Sequence, residues 1–574
     1  MLLFLDVVNV FREIESKSGR LQMTDILAEL FKKTDENEVA KLIYMIQGIL
    51  APPYESIDLG MGERFAIEAI ASSAGYSRIE VEKNFKKTGD LGDTAREFLL
   101  KKKQLSLSST QMDLDYVFQA LLRIAKISGT GSQEQKIKIL VELLNNSQPL
   151  EALYIVRFVI GSLRLGIGDP TIIDALSVSK KGDKSLRLEL EHAYNVCSDL
   201  GHVAEVFYKE PQRISDFKIE PLRPLMPALA ERLNTPKEIV ERLGRCGIEM
   251  KYDGFRLQCH KNGKNIEIYS RKLEKMTHMF PDVVEAVKLL PIKEIIFEGE
   301  ALAFSKQTGK FLPFQQTMQR RRKHGISTAS NEFPLHIFIF DLLYLDGQDL
   351  SKQTYLERRE IIDKIFTGQI LSPSQYKIVD NDLELDKIFE ESIEKGLEGI
   401  MAKDLNAPYT PGKRKFAWIK LKKSYGKAVD TIDGVIVGYY LGQGQRAEFE
   451  FGGVVVAVYN PERGMLETVA KVASGFSEEE MKTMKEMLEA TKIAFKPKML
   501  DCVLETDFWV EPKYVVEVAF DEITESGMHT CGIKNEKGYA LRFPRIVRLR
   551  DDKGIKEITT SEEVVKMFEL QRSR

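Results

Sequence analysis

Pro221, Pro224 and Pro227 fall within residues 216–232, and neither a helix interior nor a central strand tolerates them. Proline fixes its own φ, lacks an N–H and pushes the residue before it out of the helical region. The stretch therefore reads as an extended connector, and the hydrophobic pattern differs on its two sides. Before it, apolar residues recur at the spacing of one helix face, as in Ile26, Leu27, Leu30 and Phe31, or Ile139, Leu140, Leu143 and Leu144. From about residue 236 strands mix with helices. From about residue 426 short glycine-broken strands dominate, over 431–441, 451–459 and 514–520, which suggests a small barrel. A chain of 574 residues has room for several domains. The expected fold is multidomain: an all-α domain over residues 1–220, an α+β domain over 221–425 and a β-barrel domain over 426–574.

The totals exclude several classes. A formal net charge of -3 means that any nucleic-acid surface must come from local basic clusters. Cys197, Cys246, Cys259, Cys502 and Cys531 form no CxxC pair, which argues against a zinc ribbon or a disulfide framework and fits a reducing cytoplasm. The sequence holds no apolar run long enough to span a bilayer. Its first residues lack a basic region and break at Asp6, a poor signal peptide.

The α+β region opens with Glu249-Met-Lys251-Tyr-Asp253-Gly254-Phe-Arg256. Alternation in a strand puts Glu249, Lys251 and Asp253 on one face. Asn262-Gly263 predicts a hairpin between this run and the strand ending at Arg271. Lys251 is either a solvated surface lysine or a nucleophile. Downstream, Ile295-Ile-Phe-Glu298-Gly-Glu300-Ala-Leu-Ala-Phe304 is a strand with both carboxylates on one side, an arrangement that needs a partner or a cation. A strand at His336-Ile-Phe338-Ile-Phe340-Asp341 carries two aromatics on one face, either core or a stacking platform. Glu398-Gly-Ile-Met-Ala-Lys403 reads as a further strand after a helix end at Lys395-Gly396.

Between residues 413 and 427 the chain carries Lys413, Arg414, Lys415, Lys420, Lys422, Lys423 and Lys427 and no acid. Alternation sends Ala417, Ile419 and Leu421 inward and puts Trp418, Lys420 and Lys422 on the other face. That face is a solvated strand edge or a polyphosphate site. Arg548 and Arg550 share a strand face near the end and could clamp a second phosphate. In the helical region, Ser128-Gly-Thr-Gly131-Ser132 and Arg164-Leu-Gly166-Ile-Gly168-Asp169-Pro170 each precede a helix, with Ser132 and Asp169 as expected N-caps. Such loops are helix punctuation or phosphate-binding turns.

Together these parts suffice to transfer a nucleotidyl group to an amine. Attack on an α-phosphorus requires a neutral amine, expected here from neighbouring cations that lower the pKa of Lys251. Basic side chains and a hard cation such as Mg²⁺, offered Glu298, Glu300 and Glu398, would stabilise the charge developing on phosphorus.

Lys251-Tyr-Asp-Gly-Phe-Arg256 resembles the KxDGxR motif of the covalent nucleotidyltransferases: DNA ligases, RNA ligases and mRNA capping enzymes. Ser270-Arg271-Lys272, Phe297-Glu-Gly-Glu300, Phe340-Asp-Leu-Leu-Tyr-Leu-Asp-Gly347, Glu398-Gly-Ile-Met-Ala-Lys403 and Trp418-Ile-Lys420-Leu-Lys422 resemble the later motifs in the same order. Arg548-Leu-Arg-Asp-Asp-Lys553 follows near the end. Across its whole length the chain resembles the ATP-dependent replicative DNA ligases of archaea and eukaryotes.

The resemblance implies a helical DNA-binding domain, an adenylation domain with antiparallel sheets and an OB-fold domain, closing around nicked duplex DNA. It implies AMP on Lys251, Glu249 at the adenine edge and Phe340 stacked on the adenine face. Arg256 and Glu300 would hold the ribose, and Glu300 and Glu398 the metal. Arg271, Arg414, Lys420 and Lys422 would hold phosphates, with Arg548 and Arg550 orienting the leaving pyrophosphate. The expected protein is a monomeric cytoplasmic enzyme of DNA replication, repair and recombination that uses ATP and Mg²⁺.

Capping enzymes lack a large helical front domain, and NAD-dependent ligases carry a four-cysteine zinc module, so both fit this chain less well. A non-catalytic DNA-binding relative is disfavoured by the intact Lys251 and carboxylates. Lys103-Gln104-Leu-Ser-Leu107 lies where archaeal ligases carry a sliding-clamp peptide, although the aromatic pair of that peptide is missing.

Overall fold

The computed structural model describes the chain except residues 18, 89, 103–110, 306–310, 313–316, 323–324, 369, 396, 423–429, 442–450, 521, 535–536 and 573–574, and the side chains of 86, 87, 414, 430 and 572. The clamp-like segment at Gln104, Gly396, the basic residues 423 and 427, and the Arg414 side chain thus lie outside the described residues.

The front of the chain is helical from Phe4 to Lys209, and a 3₁₀ turn follows over Pro211–Asp216. Its helices form because apolar stripes meet end signals. In Leu114–Lys126, Asp113 accepts from the Tyr116 N–H, Arg123 and Lys126 occupy the last turn, and Leu114, Val117, Phe118, Leu121 and Ile124 are buried. Leu27, Leu30, Phe31, Leu140, Leu143 and Leu144 are buried in the same core, as their spacing predicts. The two glycine-loop caps differ from expectation. Gly131 caps Ser132–Asn146 with φ 77°, and Gly168 caps Asp169–Lys181, so Ser132 and Asp169 are each the first helical residue.

The proline-rich stretch lies along the middle region, and its end is strand β1 (Leu229–Arg232). Ten further strands follow: β2 (Cys246–Lys251), β3 (Phe255–Asn262), β4 (Asn265–Ser270), β5 (Glu294–Ala303), β6 (Leu335–Leu345), β7 (Gln348–Asp349), β8 (Leu371–Pro373), β9 (Tyr376–Val379), β10 (Gly399–Asp404) and β11 (Arg414–Lys422). They make two sheets, one ordered β1-β11-β10-β2-β9 and the other β4-β3-β5-β6-β7 with β8 beside β6. Pairing is antiparallel apart from β1 with β11 and β6 with β8, which are parallel. The β3–β4 hairpin turns at Gly263, with φ 58°.

The chain crosses from the first sheet to the second between β2 and β3. A Cβ on Gly254 would lie 2.3 Å from the Ala301 carbonyl oxygen, so only glycine permits this crossing. One core lies between the β3–β5–β6 sheet and the helices Pro281–Lys288 and Tyr355–Ile365. Another lies between the β2–β10–β11 sheet and the helices Pro236–Leu243 and Asp382–Glu394.

The last region is β-rich. Asp430–Tyr440 pairs with Gly453–Asn460 and with Val515–Phe520, which in turn pairs with Arg545–Leu549. Two helices, Glu478–Glu489 and Ser561–Arg572, were not expected from its glycine-broken strand pattern. Among the described residues no helix is long and apolar enough to cross a membrane.

Candidate active site

The two middle sheets and the β-rich region enclose one cavity, lined among others by Glu249, Lys251, Arg256, Arg271, Glu300, Phe340, Glu398, Lys420, Lys422, Arg548 and Arg550. Strand register assembles its centre. Lys251 ends β2 opposite Gly399 of β10, and the Glu398 N–H donates to the Lys251 carbonyl at 3.0 Å. Lys422 of β11 also stands opposite Gly399. Gly399 has φ 146°, and a Cβ there would lie 2.1 Å from the Leu421 carbonyl oxygen. This close approach brings Lys251 and Lys422 onto the two oxygens of Glu398 as ion pairs.

The Lys251 amine does not behave as expected. Burial favours its neutral form, but Glu398, Glu300 and Asp253 outweigh burial and hold the pKa above the ordinary lysine range. Carboxylates rather than cations set this lysine's charge, and it stands as an ammonium. Glu398 is held well below the usual carboxylate range, its burial overcome by Lys251, Lys422 and Arg550. Glu300 is pushed up to about 7, chiefly by burial, with Lys251 and Arg256 acting against the rise. Asp253 is also raised by burial and by Glu398. A half-buried carboxyl that holds its proton near neutrality is a ready site for a hard cation to displace that proton. Among the described residues no three His, Cys, Asp or Glu side chains gather as a metal cage. Glu300 and Glu398 with phosphate oxygens suit Mg²⁺, which is usually held by one or two carboxylates plus phosphate.

Glu298 is not available to a cation. It is 1% exposed and binds the Arg256 guanidinium through both oxygens, at 3.2 Å from Nε and 2.6 Å from Nη2, besides accepting from Gln258 and Tyr409. Alternation placed Glu298 and Glu300 correctly on one side, and depth separates their roles.

At the other end of the cavity Glu249 is 2% exposed. Its Oε1 accepts from the Tyr355 hydroxyl and from Lys403 Nζ at 3.0 Å, with Arg359 Nη1 at 3.8 Å. Phe340 lies beside it with its edge to Trp418 (5.9 Å, 84°), and Arg256 stands 5.3 Å from its ring. Phe338, the other aromatic of that face, stacks instead on Tyr252 at 3.9 Å.

The β-rich region supplies the facing wall. Arg548 Nε donates to Glu517 at 2.8 Å and its Nη1 lies 3.6 Å from Asp253. Arg550 is held by Asp433 and Asp552. Arg271 Nε donates to Glu557 at 2.6 Å and Lys272 to the Asp551 carbonyl at 3.1 Å, which ties the two regions together. The glycine loop at 164–168 is also covered by the β-rich region. Arg164 pairs with Glu511, Lys556 with Asp169 at 2.7 Å, and Lys498 packs on Gly166.

Sequence reasoning did not single out Tyr355, Arg359 or Tyr409. Lys403 could have been found, because it continues the β10 alternation that points Met401 into the cavity.

An amine set among three carboxylates, faced by cations from two directions, equips a cavity to accept and pass on a nucleotidyl group, the work of the covalent nucleotidyltransferases. Comparison with known proteins narrows the class. The family description "ATP dependent DNA ligase domain" matches residues 227–422, "DNA ligase N terminus" residues 3–177, and "ATP dependent DNA ligase C terminal region" residues 447–553. A probable DNA ligase of Dictyoglomus turgidum is 45% identical over 579 residues, spanning 100% of this chain and 98% of that protein. DNA ligase 2 of Thermofilum pendens is 40% identical (99% and 97%), and the DNA ligase of Sulfolobus acidocaldarius 39% identical (98% and 97%). The chain belongs to the ATP-dependent DNA ligases.

Proposed function

We propose that Lys251 is the nucleophile of an ATP-dependent nick-sealing reaction. The supporting observation is the placement of its amine on Glu398, beside Glu300 and opposite Arg548. Once its ammonium has released a proton, the neutral Lys251 Nζ attacks the α-phosphorus of ATP, the bond to pyrophosphate breaks, and a P–N bond to AMP forms. The AMP then passes to the 5′-phosphate of a nick in duplex DNA, regenerating the amine. The 3′-hydroxyl attacks that phosphate and expels AMP.

Glu249 reads the adenine edge and Phe340 covers its face. Arg256 and Glu300 border the ribose. Arg271, Arg414, Lys420 and Lys422 hold phosphates, and Arg548 and Arg550 orient pyrophosphate as it leaves. Glu300 and Glu398 would hold Mg²⁺, which when bound draws negative charge away from the reacting phosphorus. We read the chain as a helical DNA-binding domain over 1–220, an adenylation domain over 221–425 and an OB-fold domain over 426–574, acting as a monomer in replication, repair and recombination. The glycine loops at 128–132 and 164–168 would contact DNA phosphates, a sequence-independent mode. The second loop can do so only after the β-rich region leaves it.

Incubation with α-labelled ATP, GTP or NAD tests the reading. Label is expected from ATP alone, and nicked duplex DNA should discharge it. Label from GTP that is discharged only by an RNA diphosphate end would make the chain a capping enzyme.

The raised pKa of Glu300 gives a pH signature. Below about 7 a proton occupies the carboxyl and a cation must displace it; above 7 the site is ready-made. Half-saturating Mg²⁺ for self-adenylation should therefore rise about tenfold per pH unit below 7 and level off above it. A half-saturation constant unchanged between pH 6 and 8 would remove Glu300 from the metal site. Titration of Lys251 alters the maximal rate, so the two effects separate.

A further inference from the structure

The connector that the prolines define is bonded to β3 at regular intervals. Arg256, Gln258 and His260, alternate residues on one face of β3, meet residues 228, 225 and 222. The Leu222 N–H donates to His260 Nδ1 at 3.1 Å, and the Tyr269 hydroxyl donates to the Leu222 carbonyl at 2.6 Å. The Leu225 N–H donates to Gln258 Oε1 at 3.0 Å, and Gln258 Nε2 donates back to the Leu225 carbonyl at 3.1 Å. Arg256 Nη1 donates to the Ala228 carbonyl at 2.8 Å. Ala228, Leu229 and Ala230 line the nucleotide cavity. The connector also carries the helical region's position, because the Met226 N–H donates to the Asn195 carbonyl at 2.8 Å and the Gly412 N–H to the Met226 carbonyl at 3.3 Å.

Tyr409 closes this arrangement. It is 4% exposed, and its hydroxyl has one proton and two acceptor positions. The proton goes to the Glu298 carboxylate at 2.8 Å, which cannot donate in return. The acceptor positions take the Ala228 N–H at 2.9 Å and Arg256 Nη2 at 3.2 Å. One hydroxyl thereby fixes the connector, the arginine and the arginine's counter-ion. Tyr409 is absent from the cavity lining and acts on the cavity through lining residues that it touches, Arg256, Ala228 and Trp418.

We propose that the connector is a wall of the ATP site rather than a tether, with residues 228–230 lining the site and residues 222–228 anchoring them to β3, and that Tyr409 is the positioning residue that holds Arg256 against that wall. The proposal rests on reading the cavity as the ATP site. Tyr409→Phe removes the three hydrogen bonds and keeps the ring, and Gln258→Leu, at a side chain outside the cavity lining, frees the connector at Leu225 and also removes one of the bonds that Glu298 accepts. In the full chain, half-saturating ATP for lysine adenylation should rise about tenfold in Tyr409→Phe, the change expected for losing a hydrogen bond to a charged group. It should rise in Gln258→Leu as well, with maximal rates within about threefold of wild type because the reacting groups are untouched. The double variant should fall short of the product of the two. If both variants melt at a lower temperature yet keep wild-type half-saturation when assayed well below it, the contacts are structural only and the proposal fails. A loss of maximal rate at unchanged half-saturation also overturns it. Failure of the underlying reading looks different, since wild-type protein would then take no label from ATP.

Discussion

Lys251→Ala is expected to abolish both self-adenylation and nick sealing while leaving the fold intact. Two other lysines of the cavity are placed for other work. Lys422 is turned onto Glu398, and Lys403 is buried at the Glu249 end of the cavity. Lys251 sits at the partly exposed end of β2, so truncating its side chain opens no core cavity, and the melting temperature should move by only a few degrees. Supplying DNA already adenylated at the nick separates the steps. The variant should still join that substrate at a measurable rate, because the last step uses the cavity and not the amine. Label retained on the variant would move the nucleophile elsewhere.

Glu398→Gln should be nearly as damaging, for a different reason. The carboxylate neutralises both Lys251 and Lys422 and stands in the proposed metal site, so its loss leaves two partly buried ammonium groups facing each other. With the carboxylate gone from beside the reacting amine, adenylation should fall by at least about a hundredfold. The variant also changes the pH response. Glu398 holds the Lys251 amine protonated, so without it the neutral amine should appear at lower pH, and the residual activity should rise with pH earlier than in wild type. A wild-type pH profile at wild-type rate would show that Glu398 does not control this amine.

Much of this site was legible because strands alternate. The period of two put Glu249 with Lys251, Glu298 with Glu300, and Lys420 with Lys422 before any fold was known. It could not rank depth, so Glu298 looked like a metal ligand although it is the buried counter-ion of Arg256. The charge of Lys251 departs from the sequence expectation for a related reason. The sequence is rich in cations near the expected site, but register and close approach at Gly399 put carboxylates nearest the amine.

The connector's prolines announced an extended segment, yet its bonds to Gln258 and His260 bridge more than thirty residues and leave no local trace. Tyr355 and Arg359 reach Glu249 from a helix about a hundred residues away, marked in sequence only by the Thr354–Glu357 capping box. The helix at Glu478–Glu489 carried such a signal too, in Ser477 and Glu480, but the surrounding strand pattern masked it.

The most direct test is to incubate the full chain with ATP and Mg²⁺, digest it, and locate the adenylyl group by mass spectrometry. The account expects the mass of AMP on the peptide containing Lys251, labile to acid as a P–N bond is, and gone after brief exposure to nicked duplex DNA. AMP on any other lysine, or on Lys251 but untouched by nicked DNA, would contradict it.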